Sequence, residues 1–387
     1  MPASPLKVLF VASECAPFAK TGGLADVAGA LPKALRALGI DVRVVMPLYS
    51  GVAWNDQERL DGTLSVPMYY GRGRAAVRLG KLPGSEVPVY FIEHHGYYDR
   101  PHLYGPPGDA YSDNLERFVF FCKASLELCK AIGFIPDVVH AHDWQAALVP
   151  VYINTLEWGG PLHGSASVFT IHNMAYQGVF DASWLPHLGL GWELMRMDAM
   201  EYWGRISYLK GGIVFSRLIT TVSPRYAQEI QTPELGFGFD GILRARESDL
   251  VGILNGIDYD QWDPERDPNI PKPYTAEDLD GKLAAKQALL ERFGLPASDG
   301  APAQPVVGLI TRMVDQKGFD LLADIADELP RLGASIVLLG SGERRYEDLW
   351  LGLAARYPDR VGARIWRIPV HRGRGAFSCE TLARTAS

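Results

Sequence analysis

Residues 7–46 read KVLFVASECAPFAKTGGLADVAGALPKALRALGIDVRVVM, and this stretch decides the fold. Lys7–Val11 is a short apolar run of the length of a buried strand. Leu24–Leu38 then repeats apolar residues at helical spacing, with Leu24, Val27, Leu31, Leu35 and Leu38 on one face. Val42–Met46 is a second apolar run. Strand, helix and strand in this order form a βαβ unit, whose two strands lie parallel.

The alternation continues along the chain. Further strand candidates are Val87–Ile92, Asp137–His140, Ser167–Ile171, Leu218–Val222, Val251–Leu254, Val306–Ile310 and Ile336–Leu339. Helical periods lie between many of them, among them Leu115–Ile132, Leu279–Phe293 and Leu321–Leu329. Apolar strands spaced by helices predict a doubly wound α/β fold with parallel sheets covered on both faces. No internal repeat or low-complexity tract interrupts the pattern.

Composition shifts between Asn255 and Pro305. Asp258–Pro273 is rich in Asp, Pro, Asn and Tyr, and Pro296–Pro305 reads as a linker. The expectation is an N-terminal Rossmann-like domain over 1–254, a linker and start of a second domain over 255–304, and a partial C-terminal Rossmann-like domain over 305–387. The last part holds roughly three βα units at about 30 residues each. A doubly wound half ordinarily has five or six strands, so the second domain is expected to be incomplete.

The 387 residues are 47% hydrophobic and 21% charged, an ordinary globular balance for two or three domains. A net charge of -7 argues against a nucleic-acid surface. The longest apolar runs, such as Ala146–Ile153, fall far short of the ~20 residues a membrane span needs. Val8–Ala12 is too short for a secretory signal. Four cysteines (Cys15, Cys122, Cys129, Cys379) without a C-x-x-C predict free thiols in a cytoplasmic protein and no structural zinc.

Polar residues recur at the C-terminal ends of predicted strands, where α/β sheets bind ligands. Lys20-Thr21-Gly22-Gly23 opens the first helix. Its glycines admit close backbone approach, the helix start offers free N–H groups, and Lys20 adds a cation, a combination suited to phosphate. The plain alternative is a strand-to-helix turn. His140-Ala141-His142-Asp143-Trp144 ends the Asp137 strand. It suits sugar hydroxyls, a metal, or a helix start with Asp143 as N-cap and Trp144 packing below. His172-Asn173 follows the next strand, and Asn255-Gly256 another, where a turn is the bland reading. Arg312 and Lys317 follow Val306–Ile310 and could clamp a diphosphate. Gly340-Ser341-Gly342 is a further glycine turn fit for phosphate. Asp258-x-Asp260 mimics the metal-binding pair of some sugar transferases, but Asp278-x-Asp280 repeats it in a predicted helix, so it is discounted. Gly71-x-Gly73 precedes strand-like alternation at Val77 and Leu79 and is read as a bulge or turn. No strand is followed by G-x-G-x-x-G and a helix, which disfavours a nicotinamide oxidoreductase.

These segments, taken in order, resemble one family. Lys20-Thr-Gly-Gly-Leu-Ala-Asp-Val, His140-Ala-His-Asp-Trp, Thr170-Ile-His-Asn-Met-Ala-Tyr-Gln-Gly and Glu201-Tyr-Trp-Gly are similar to motifs of bacterial glycogen synthases and plant starch synthases. So are Val222-Ser-Pro-Arg-Tyr-Ala, Gln231-Thr-Pro-Glu, Leu243-Arg-Ala-Arg, Ile253-Leu-Asn-Gly-Ile-Asp-Tyr-Asp and Thr311-Arg-Met-Val-Asp-Gln-Lys-Gly. The resemblance implies a GT-B architecture, two Rossmann-like domains facing a cleft that holds the active site. It implies retaining transfer of glucose from ADP-glucose to the non-reducing end of an α-1,4-glucan such as glycogen, with no metal and no cofactor beyond the donor. Lys20, Gly22 and Gly23 would meet the donor, and Asp143 and His172 would hold the glucose with Asn173 and Asn255 nearby. Arg312 and Lys317 would bind the leaving diphosphate, with Gly340 and Gly342 at the phosphates.

The family's next motif, Glu-Pro-Cys-Gly-Leu, and a second glycine loop are not found after Ile365. A shifted frame and early stop near that point would produce the atypical tail 366–387. The alternative expectation is therefore a truncated, catalytically impaired remnant that binds nucleotide or glucan only.

Overall fold

The computed structural model describes residues 5–52, 57–106, 109–297 and 304–365. The tail 366–387 and Cys379 lie outside the described residues. The strands in chain order are β1 (Lys7–Val11), β2 (Asp41–Pro47), β3 (Glu58–Arg59), β4 (Leu64–Met68), β5 (Gly71–Lys81), β6 (Pro88–Glu93), β7 (Val138–His142), β8 (Ala166–Ile171), β9 (Val179–Asp181), β10 (Glu201–Tyr202), β11 (Arg205–Ser207), β12 (Leu218–Thr221), β13 (Leu250–Gly252), β14 (Val306–Ile310), β15 (Ser335–Gly340) and β16 (Val361–Ile365). The chain divides into two compact units, Met1–Gly256 and Ile257–Ser387.

The first unit is built on a sheet of order β13-β12-β8-β7-β1-β2-β6-β5-β3, with β4 paired to β5. β13 through β6 run parallel. The chain starts at β1, winds one way to β2 and β6, and winds the other way through β7, β8, β12 and β13. The order therefore reverses between β1 and β7, and that switch point opens a crevice at their C-terminal ends. Every residue of β1 from Val8 to Val11 is buried, as its unbroken apolar run requires.

The Gly23–Ala37 helix contains Pro32, which removes an N–H from the ladder. The carbonyl of Ala28 freed by that gap accepts the Cys15 thiol at 3.3 Å. The Asn114–Ala131 helix is buried nearly all round, so its apolar residues do not form a single stripe. Its one buried guanidinium, Arg117, is satisfied by the carbonyls of Tyr97 (2.7 Å) and Leu103 (2.9 Å) and by Asn114 Oδ1 (2.6 Å).

Three expectations need correction. The sheet is mixed: β5 pairs antiparallel with β3, β4 and β6, and the glycines of Gly71-x-Gly73 open β5 after a turn in which Gly71 has φ 116°. A separate antiparallel sheet, β10-β11-β9, was invisible because its strands are only two or three residues long. The predicted Leu321–Leu329 helix stops at Asp324, where Asp324, Asp327 and Glu328 crowd the negative end of the helix dipole.

The second unit contains the parallel sheet β14-β15-β16 with the helices Asp280–Phe293, Phe319–Asp324 and Arg344–Arg356. β15 is buried throughout, and its core includes Phe319, Ile336, Leu338, Tyr346, Trp350 and Leu353. Among the described residues, β14 pairs with β15 only, and Val307 and Ile310 are exposed. Both Asp-x-Asp pairs are turns: Asp258 Oδ1 accepts the Asp260 N–H (3.1 Å), and Asp278 Oδ1 accepts the Asp280 N–H (3.0 Å) just ahead of the helix.

Candidate active site

The loop after β1 is folded around a buried carboxylate that the sequence reading missed. Glu14 accepts the Thr21 hydroxyl at 2.6 Å, the Thr21 N–H at 2.5 Å and the Tyr104 hydroxyl at 2.6 Å. Burial pushes its pKa up, while bonds from Thr21, Tyr104 and the Gly22 N–H oppose that rise. A charged residue inside the small and apolar run Ala12–Ala19 was the available signal. Glu14→Ala would leave these donors unpaired in a buried place, at roughly 1–3 kcal/mol. The expected result is a loop after β1 that loosens, read as a lower thermal midpoint and faster proteolysis within residues 12–23.

Gly22 is extended and stands at the N-cap of the Gly23–Ala37 helix, which has no side-chain cap. A Cβ built on Gly22 or Gly23 meets nothing within 4 Å. The Gly22 N–H is taken by Glu14, but past it the helix start lacks a side-chain cap and its glycines leave open space, as an anion site requires. Lys20 Nζ lies 2.6 Å from Asp26 Oδ1, which holds the cation over the first helical turn.

Asp143 does not cap its helix, contrary to the plain reading. His142 occupies the N-cap position without a side-chain bond, and Asp143 itself has φ 54°. A left-handed backbone is tolerated by Asp but carries strain. It turns the carboxylate to the end of β8, where Oδ1 accepts the His172 N–H at 2.7 Å. The Asn173 N–H also bonds this carboxylate. Met174 N–H bonds the Tyr226 hydroxyl at 3.1 Å, and Asn173 Oδ1 accepts the Ala175 N–H at 3.0 Å. The loop 172–175 is therefore fixed at each residue.

Behind it lies a polar stripe on one face of the sheet. His140 Nε2 contacts Thr170 Oγ1 at 2.6 Å, and Thr170 Oγ1 contacts Thr220 Oγ1 at 2.6 Å. Strand register pairs Thr170 with Thr220, while His140, whose register partner is Val168, reaches Thr170 diagonally. His142 Nδ1 lies 3.0 Å from His172 Nε2. Sequence reasoning had no route to this pairing, because strand register is set by tertiary contacts.

Burial sets the charges here. It pushes His140 down to about 3 and His172 to about 4, and holds His142 well below its ordinary value. It pushes Asp143 up to about 7. His140 and His172 stabilise the fold above their unfolded pKa near 6.5, and that contribution is lost as pH falls toward 3–4; His142, held well below its ordinary value, acts in the same sense. Asp143 acts in the opposite sense, losing its contribution as pH rises through about 7. Between pH 6.5 and 4 the unfolded chain gains protons on three histidines against one on folded Asp143, so stability falls with acidity. The thermal midpoint should drop steadily from pH 7 to pH 4.5, and a His140→Phe/His142→Phe variant should show a shallower drop by calorimetry.

The structure thus brings Lys20, Gly22, Gly23, Asp143, His172 and Asn173 to the ends of the neighbouring strands β1, β7 and β8. Asn255 is exposed beyond β13, at the sheet's outer edge. In the second unit, Arg312 and Lys317 are exposed on the segment after β14. Gly340 and Gly342 have a packing reason: a Cβ on them would lie 2.0 Å from the Thr311 carbonyl oxygen and 2.2 Å from that of Met313. Among the described residues, no group of three His, Cys, Asp or Glu side chains is placed to hold a metal. A cavity of about 250 Å³ near Tyr69, Tyr97 and His187 includes none of these residues.

Comparisons with known proteins place the fold in a family. A profile of the starch synthase catalytic domain matches residues 7–245. Glycogen synthase 1 of Geobacter sulfurreducens is 48% identical over 364 residues, covering 93% of this chain and 72% of that protein. Glycogen synthase of Koribacter versatilis is 46% identical over 363 residues, covering 93% and 73%. Among solved structures, the catalytic domain of starch synthase IV from Arabidopsis thaliana, bound to ADP and acarbose, aligns with a TM-score of 0.87 and 35% identity, over 99% of this chain and 76% of that one. Fold and strand-end residues together define a glycosyltransferase with the α/β fold of the starch synthase catalytic domain. The chain belongs to the glycogen synthase and starch synthase family, and its function is that of a glycogen or starch synthase.

Proposed function

We propose that this synthase transfers glucose from ADP-glucose to the non-reducing end of an α-1,4-glucan, retaining the anomeric configuration and needing no metal. The observation that supports it best is the convergence on one switch point of an open, uncapped helix start and the Asp143–His172 pair. The amide at Gly23 and the open space left by Gly22, with Lys20 over the first turn, suit the donor's phosphates. As the glycosidic bond breaks, charge builds on the diphosphate, and fixed dipoles and cations stabilise it most at that moment. Arg312 and Lys317 are proposed, on the family resemblance, to bind a diphosphate, with Gly340 and Gly342 as phosphate-binding residues. Asp143, His172, Asn173 and Asn255 are assigned to the sugar. A solved relative bound to ADP and acarbose supports a nucleotide donor and a glucan acceptor. No helix among the described residues is long and apolar enough to cross a membrane, which accords with work on glucan in the cytoplasm.

The test is incorporation of labelled glucose into glycogen from ADP-glucose and, separately, from UDP-glucose, each with and without EDTA. We expect incorporation from ADP-glucose, unaffected by EDTA, and at least about tenfold less in Lys20→Ala, the loss of one charge-assisted contact in the transition state. Preference for UDP-glucose, or loss of activity in EDTA, would overturn the donor or metal assignment. Nucleotide binding without incorporation would favour the binding-only alternative.

A further inference from the structure

His142 has no role in the site described so far, yet its ring is the most enclosed polar group beside it. It stacks on Phe10 with centroids 4.0 Å apart and meets the His140 ring at a tilt with centroids 4.1 Å apart, and it is fully buried. Its Nδ1 lies 3.0 Å from His172 Nε2, while its own Nε2 is buried with no hydrogen-bond partner. Burial keeps both imidazoles neutral near pH 7, so each carries one proton and one lone pair. Two arrangements satisfy the contact. If His172 donates from Nε2, the proton of His142 sits on Nε2, an enclosed N–H facing no acceptor. If His142 donates from Nδ1, only a bare lone pair is enclosed, and the proton of His172 moves to its Nδ1. An orphaned donor is rarer and costlier than an orphaned acceptor, so the second arrangement holds.

We infer that His142 is a positioning residue that locks His172 in the Nδ1–H tautomer, making its free nitrogen a hydrogen-bond donor to a substrate hydroxyl. Phe10 and His140 both pack against the His142 ring and Asp143 fixes the backbone of His172, so the Nδ1–Nε2 contact is held in place and the burial of His142 Nε2 decides which nitrogen carries the proton. The functional part rests on the reading that His172 meets the sugar.

The test uses the full chain labelled with ¹⁵N-histidine, with the His172 signals identified by their loss in His172→Gln. Nitrogen shifts of the parent should report a neutral ring protonated on Nδ1. In His142→Phe, which keeps the stacking, the His172 tautomer should shift and kcat should fall about tenfold, the loss of one well-placed hydrogen bond, with a smaller change in donor KM. His142→Asn, whose amide N–H can stand where Nδ1–H stood, should restore both tautomer and rate. A parent ring protonated on Nε2, or an unchanged tautomer in His142→Phe, overturns the inference. If the tautomer behaves as expected but His172→Gln transfers glucose at the parent rate, the assignment of His172 to the sugar fails and the locking role of His142 stands.

Discussion

Asp143→Ala should lower the rate of sugar transfer by roughly two to three orders of magnitude while the protein stays folded. The carboxylate is buried and accepts the N–H groups of His172 and Asn173, so it sets where the loop after β8 begins. Removing it leaves those amides unpaired, at about 1–3 kcal/mol, and frees the loop to move. A displacement near 1 Å at a reacting centre can cost about a hundredfold in rate. The substitution also asks Ala to adopt φ 54°, a left-handed backbone that Asp tolerates and Ala does not. Asp143→Asn keeps an acceptor oxygen and the backbone preference, so it should retain more activity than Ala. Steady-state kinetics with circular dichroism of each variant would check this, and equal activity of Asp143→Ala and the parent would remove Asp143 from the site.

Gly340→Ala should unfold the second unit. The new Cβ would sit 2.0 Å from the backbone oxygen of Thr311, and the partner is main chain that cannot swing away. Overpacking of this kind costs about 3 kcal/mol or more, and the core of this unit is small. Gly352→Ala is the control. Its Cβ meets nothing within 4 Å, and it lies inside the Arg344–Arg356 helix, so it should stabilise by about 0.5–1 kcal/mol. Limited proteolysis and thermal unfolding of the two variants would separate the outcomes. A Gly340→Ala protein as protease-resistant as the parent would mean that the segment 311–313 is free to retreat.

The two glycine turns show how one sequence signal divides in space. Gly22 and Gly23 open onto empty space at a helix start without a side-chain cap, the condition for a ligand. Gly340 and Gly342 look alike in sequence, but their missing side chains make room for the chain itself. Composition cannot tell these apart, since both reasons select the same residue. The plain and functional readings of Asp143 were likewise both compatible with His-Asp-Trp at a helix start. Only the sign of its φ angle decided which N–H groups its carboxylate meets.

The sequence by itself determined the alternation of strand and helix, because buried parallel strands need unbroken apolar runs and their crossover helices need a 3.6-residue period. It also determined which strand ends carry polar side chains, since those positions break the apolar pattern. Tertiary structure alone decided the rest. The reversal of strand order between β1 and β7 gathers three of those ends. Register sets Thr170 beside Thr220, and the loop that follows β8 brings His172 to His142. Burial then fixes which of these groups carry charge. Register, strand order and desolvation are properties of contacts between residues far apart in the chain, and no local pattern encodes them.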